Sequence, residues 1–124
     1  MVPATPGELL VAADQILSSP PCDDEDELLT AHWPWACAIL IRLALEAVLD
    51  GYWRRMEPSA ARCSMRAQLL LLPEFADNVT VRLARDSWLA LSRAADYRSD
   101  ELAPTASELR GWHADVAAVS AELS

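Results

Sequence analysis

Between Trp35 and Arg55 the chain has almost no polar face. Ile39, Leu40, Ile41, Leu43, Leu45, Val48, Leu49, Tyr52 and Trp53 place apolar side chains nearly all the way round a helical wheel. A helix of this kind must lie at the centre of a bundle, with neighbours on several sides, or within a membrane. The membrane alternative fails on length and charge. The continuous apolar stretch covers residues 35–49 and already contains Arg42 and Glu46, whereas a span needs about 20 predominantly apolar residues. The sequence therefore predicts an all-α, up-and-down bundle of about five helices, built round this segment as a single domain over residues 1–124.

The flanking elements are marked by local signals. Thr5, Pro6 and Glu8 form a capping box with proline at the first helical position, and Leu9, Leu10, Ala13, Ile16 and Leu17 follow at helical spacing. The acidic run 23–27 reads either as a solvated helix start favoured by the macrodipole or as a binding tail. Pro34, between two tryptophans, removes a backbone donor and biases Trp33 away from helical geometry. The central helix is thus expected to begin at or just after Pro34. Pro58 opens a shorter helix that Pro73 ends. Asp77 or Asn78 caps the next, with Val81, Ala84, Trp88, Leu91 and Ala95 on its seam. Thr105 and Glu108 form a second capping box, and Leu109, Trp112, Val116, Val119 and Leu123 repeat at intervals of three and four.

Charge and cysteine usage bear on compartment and partners. The net charge of −9 disfavours RNA, nucleotides and anionic membranes. All ten basic residues are arginine. Three widely spaced cysteines read as reduced thiols, and the first residues lack the pattern of a signal peptide. A cytoplasmic protein is expected. Cys22, His32, Cys37, Cys63 and His113 show no metal-ligand spacing. No nucleophile elbow or glycine-rich phosphate loop is present, so neither a metal nor a cofactor is expected.

Two groups of residues remain as site candidates. Arg42 and Glu46 interrupt the apolar helix, and Arg93, Asp96, Tyr97 and Arg98 cluster near the end of a later one. They are either ordinary ion pairs and a solvated helix end or a shared polar groove. The groove reading requires Arg42 and Glu46 to be substantially buried and to meet the 93–97 segment, because buried ion pairs persist only when well paired. Trp88, Trp112, Val116 and Val119 are candidates for a dimer face. Tryptophan is enriched at interface hot spots, and so many apolar helices have little surface of their own to cover.

Over residues 36–123 the chain resembles the HEPN superfamily of small all-α domains. The resemblance lies in the long helix carrying RLALEAVLDGYW (42–53) and the later helix ending in LSRAADYRSDELAPT (91–105). It implies a homodimer and, in many members, a metal-independent ribonuclease whose signature is Arg, four to six residues, then His. Arg93 matches the arginine, but Arg98, Ser99 and Asp100 fill the positions open to the histidine. An arginine can hold a phosphate but cannot exchange a proton near neutral pH. The sequence thus points to a non-catalytic interaction module in a toxin–antitoxin, defence or regulatory setting. The alternatives are a ribonuclease or nucleotide-handling protein using Arg93, Tyr97 and Arg98, and a structural subunit of a larger assembly.

Overall fold

A computed structural model describes residues 4–18, 27–96 and 102–124. The described residues form five α-helices and no strand: α1 (Pro6–Ser18), α2 (Glu27–Met56), α3 (Met65–Leu71), α4 (Asn78–Ala95) and α5 (Ala106–Leu123). Short 3-10 turns at Pro58–Arg62 and Leu72–Glu74 flank α3. The four long helices alternate in direction, and α2 packs against each of the other three. One core joins Leu10, Ala13 and Leu17 of α1, Ile41, Leu45 and Leu49 of α2, Leu91 of α4, and Leu109, Val116 and Val119 of α5.

Local chemistry sets the helix starts. Thr5 Oγ1 accepts the Glu8 N–H at 3.1 Å while Glu8 Oε2 accepts the Thr5 N–H at 3.2 Å. The same reciprocal box opens α5 at Thr105 and Glu108. Asp77 occupies the N-cap position of α4 without a side-chain cap bond. Helix α5 in turn secures α1. Arg110 donates to the Leu17 carbonyl at 2.9 Å, in the last turn of α1, where a cation also complements the dipole. His113 Nε2 lies 2.8 Å from the Leu10 carbonyl. Because a carbonyl only accepts, that nitrogen carries the proton. Arg55 of α2 similarly donates to the Leu123 carbonyl at the end of α5.

Two expectations are corrected. Helix α2 does not begin at Pro34 but runs unbroken from Glu27 with the proline inside it. Packing outweighs the lost backbone bond. Pro34 is itself buried, Trp33 packs on the core, and one turn later the Cys37 thiol meets the Ala13 carbonyl of α1 at 3.7 Å. The helix expected from Pro58 to Leu72 is divided, because Ser64 leaves helical geometry and accepts the Ala67 N–H as a new N-cap. Gln68 holds the break by donating to the Cys63 carbonyl at 2.9 Å.

The proline leads to a stability prediction. Alanine is favoured over proline inside a helix by about 3 kcal/mol, and roughly 1.6 kcal/mol of that is lost with two buried methylenes. Pro34→Ala should therefore stabilise the fold by about 1–2 kcal/mol in urea denaturation. A destabilised variant would show that the proline ring is part of the packing that sets α2.

Candidate binding cleft

The last turns of α4, the 102–105 connection, the first turns of α5 and Trp35 of α2 enclose an open cleft of about 520 Å³. Trp35 and Trp112, both half-buried, stand in its walls, with Ala90 and Ala94 beside them. Arg93 is exposed and also lines the cleft. Glu108 lines it too, but its carboxylate is engaged with the Thr105 N–H at 3.1 Å, at the positive end of α5. The cleft thus offers two indole faces and a cation, a combination suited to gripping a flat or apolar group.

Arg42 and Glu46 form a separate cluster. Arg42 Nε lies 3.3 Å from Glu46 Oε1, and the Arg42 guanidinium sits 4.6 Å from the ring centre of Trp88. The expected burial of this pair is not met, since 36% and 35% of the two side chains remain exposed. At that exposure the i,i+4 pair contributes only a few tenths of a kcal/mol, about 0.3–0.5.

The single groove expected from Arg42, Glu46 and the 93–98 cluster therefore divides. The reason is offset along an antiparallel contact. Arg42 lies seven residues, roughly 10 Å, along α2 from Trp35, so it meets Trp88 while Arg93 shares a cleft with Trp35. Asp96 is the C-cap of α4, its N–H donating to the Arg93 carbonyl. Tyr97 and Arg98 lie outside the described residues.

The interface candidates also separate. Val116 and Val119 have no exposed surface and belong to the core, so they are not available to a partner. Their 3-4 seam with Leu109 and Leu123 is satisfied within the chain by α1, α2 and α4. Trp88 and Trp112 remain half-exposed.

Sequence reasoning did not anticipate the placement of His32. Its ring lies 5.6 Å from that of Trp35, centre to centre, tilted at 50°. His32 thus neighbours a wall residue of the Arg93 cleft without lining the cleft itself, an i,i+3 relation on α2 hidden in the sequence by the helix break expected at Pro34. His113 is occupied with α1.

Of the other candidate ligands, Cys37 is buried and its thiol is pushed up from 9.0 to about 11 by desolvation, which Arg110 offsets in part. Cys63 is exposed, and Cys22 lies outside the described residues. Among the described residues no three His, Cys, Asp or Glu side chains converge as a metal site. No helix among them is long and apolar enough to cross a membrane. No protein-family model, curated protein or solved structure matches the chain.

Proposed function

We infer that the protein is a non-catalytic, HEPN-like interaction module that acts as a homodimer in the cytoplasm, in a toxin–antitoxin, defence or regulatory setting. The observation that carries this reading is the uncovered outer face of α2. This long helix leaves Ile39 and Leu43 44% and 43% exposed near its middle, although its pattern called for neighbours on several sides. Apolar side chains grouped on one helix face mark an interaction surface more than scattered exposure does. The Arg93 cleft supports the non-catalytic part. An arginine side chain offers donors but no group to exchange a proton, and the cleft's carboxylate is committed to a helix cap.

Sedimentation at micromolar concentration should give twice the chain mass. A monomer at these concentrations would remove the homodimer from the reading.

A second reading is favoured by one contact. His32 against Trp35 could supply from α2 the proton-transfer group missing after Arg93, giving a metal-independent ribonuclease. Against it stand the net charge of −9, which opposes RNA, and the lining of the Arg93 cleft, which does not include His32. Hydrolysis of single-stranded RNA by the purified protein should be negligible with and without EDTA. Cleavage that survives EDTA and disappears in both Arg93→Ala and His32→Ala would establish the ribonuclease instead.

A further inference from the structure

The arginines of this chain fall into two groups. Arg42 and Arg54 pair with carboxylates, and Arg55 and Arg110 donate to carbonyls at helix ends. Arg62, Arg66, Arg82, Arg85 and Arg93 are exposed and make no ion pair or hydrogen bond among the described residues. All five lie within residues 62–93, a stretch that holds only three carboxylates, Glu74, Asp77 and Asp86. The rest of the chain sets five arginines against sixteen carboxylates. A strongly acidic protein thus gathers its unengaged cations on one side of the fold.

Helix α4 gives that charge a shape. Val79, Arg82, Asp86, Leu89 and Arg93 follow at intervals of three and four, on the side turned away from the buried Val81, Ala84, Ser87 and Leu91. All five are exposed, Val79 to 67% and Leu89 to 61%. Arg85 stands beside Arg82, and both line a hollow of about 400 Å³ between Pro73 and the first turns of α4. Helix α3, which packs on α4, adds exposed Arg66 and Leu70 one turn apart. The spacing is that of a seam between helices, and its contents are apolar anchors interleaved with guanidinium forks.

We propose that the outer face of α4 docks an acidic, leucine-bearing helix of a different protein. This names a partner for the interaction-module reading and makes no use of the homodimer. Charge selects the occupant, because unpaired guanidinium groups are matched by carboxylates, with which they form two parallel bonds. Asp86 sets the register, since it repels a carboxylate and calls for a neutral or basic residue opposite it. Nucleic acid fits less well. Its evenly spaced phosphates would run from this patch on to the acidic remainder of the surface, and they give Val79 and Leu89 no apolar partner. The chain's own acidic run, residues 23–27, is also a poorer match, because consecutive carboxylates point to all sides of a helix.

The test is fluorescence anisotropy with a labelled helical peptide of about 14 residues, the length of the face from Val79 to Arg93. It carries leucine and glutamate at intervals of three and four and glutamine at its middle. A counterpart with every glutamate replaced by glutamine, and a labelled oligouridylate, are the comparisons. The glutamate peptide should bind at least about tenfold more tightly than the glutamine one and should weaken as salt rises. Arg82→Gln/Arg85→Gln should weaken it at least about tenfold and Leu89→Ser several-fold. These positions are exposed, so the fold is little affected. Val11→Glu/Gln15→Glu, which changes the net charge equally at exposed positions of α1, should have little effect.

Four results would overturn the proposal. One is no binding of the glutamate peptide at about 100 μM, weaker than any useful affinity. Another is binding that Arg82→Gln/Arg85→Gln leaves unchanged or that the α1 pair weakens equally. Tighter binding of oligouridylate, lost with the same arginines, would assign the face to nucleic acid. Loss of self-association in Arg82→Gln/Arg85→Gln on sedimentation would make the occupant a second copy. A monomeric wild type that binds the peptide through these arginines would remove the homodimer and leave this face standing.

Discussion

Trp53→Ala is expected to destabilise the protein by about 3–5 kcal/mol, the range for removing a fully enclosed large aromatic. Trp53 has no exposed surface. Its ring meets that of Phe75 edge to face, with centres 5.1 Å apart at 90°, and that of Tyr52 at 5.3 Å. Tyr52 extends the same cluster by donating its hydroxyl proton to the Phe75 carbonyl at 3.4 Å. The three rings join the last turns of α2 to the turn that leads into α4, so the cavity left by alanine would lie where two helices are held in register.

Trp53→Phe should cost far less, under about 1.5 kcal/mol, because the phenyl ring refills most of the cavity and the polar group lost is an unpaired one. The indole N–H of Trp53 is buried without a hydrogen-bond partner. Phenylalanine removes that unpaired group, whose desolvation costs about 1–3 kcal/mol, and so offsets part of the lost volume. Urea denaturation of both variants checks the pair of values. A loss in Trp53→Phe well above about 1.5 kcal/mol would mean that the N–H is satisfied after all.

The two described cysteines should differ in reactivity with a thiol reagent by at least about 100-fold at pH 8. A thiol titrating at about 11 is only about one part in a thousand thiolate at pH 8, against about a tenth for a thiol titrating at 9.0. Enclosure of Cys37 between α1 and α2 slows the reagent further, whereas Cys63 is open to solvent. Peptide mapping of the labelled native protein should place the reagent on Cys63 first.

The same shift makes stability depend on pH in a defined window. The unfolded chain releases the Cys37 proton near 9.0 and the folded chain retains it to about 11. This contribution is therefore complete below pH 9 and is lost as pH rises towards 11. The melting temperature should fall across that window, and Cys37→Ala should flatten the slope. Rapid labelling of native Cys37 at pH 8 would contradict the enclosed position.

What the sequence determined by itself was local. Both capping boxes could be read from Thr5–Glu8 and Thr105–Glu108 because their hydrogen bonds close over three residues. The all-α class followed from periods of three and four, which need no knowledge of neighbours.

Tertiary structure decided everything that depends on which helix lies beside which, and at what offset. Pro34 stays inside α2 because contacts with α1 and the core hold the turns on either side of it. Val116 and Val119 sit on a seam that looked free in sequence and is filled in the fold. Arg42 and Arg93, expected in one groove, face different tryptophans because antiparallel packing displaces one from the other along the helix axis. His32 comes close to the Arg93 cleft only because α2 continues back beyond its proline. Periodicity fixes which side of a helix is apolar, but the height at which one helix meets another is set by packing between segments far apart in the chain.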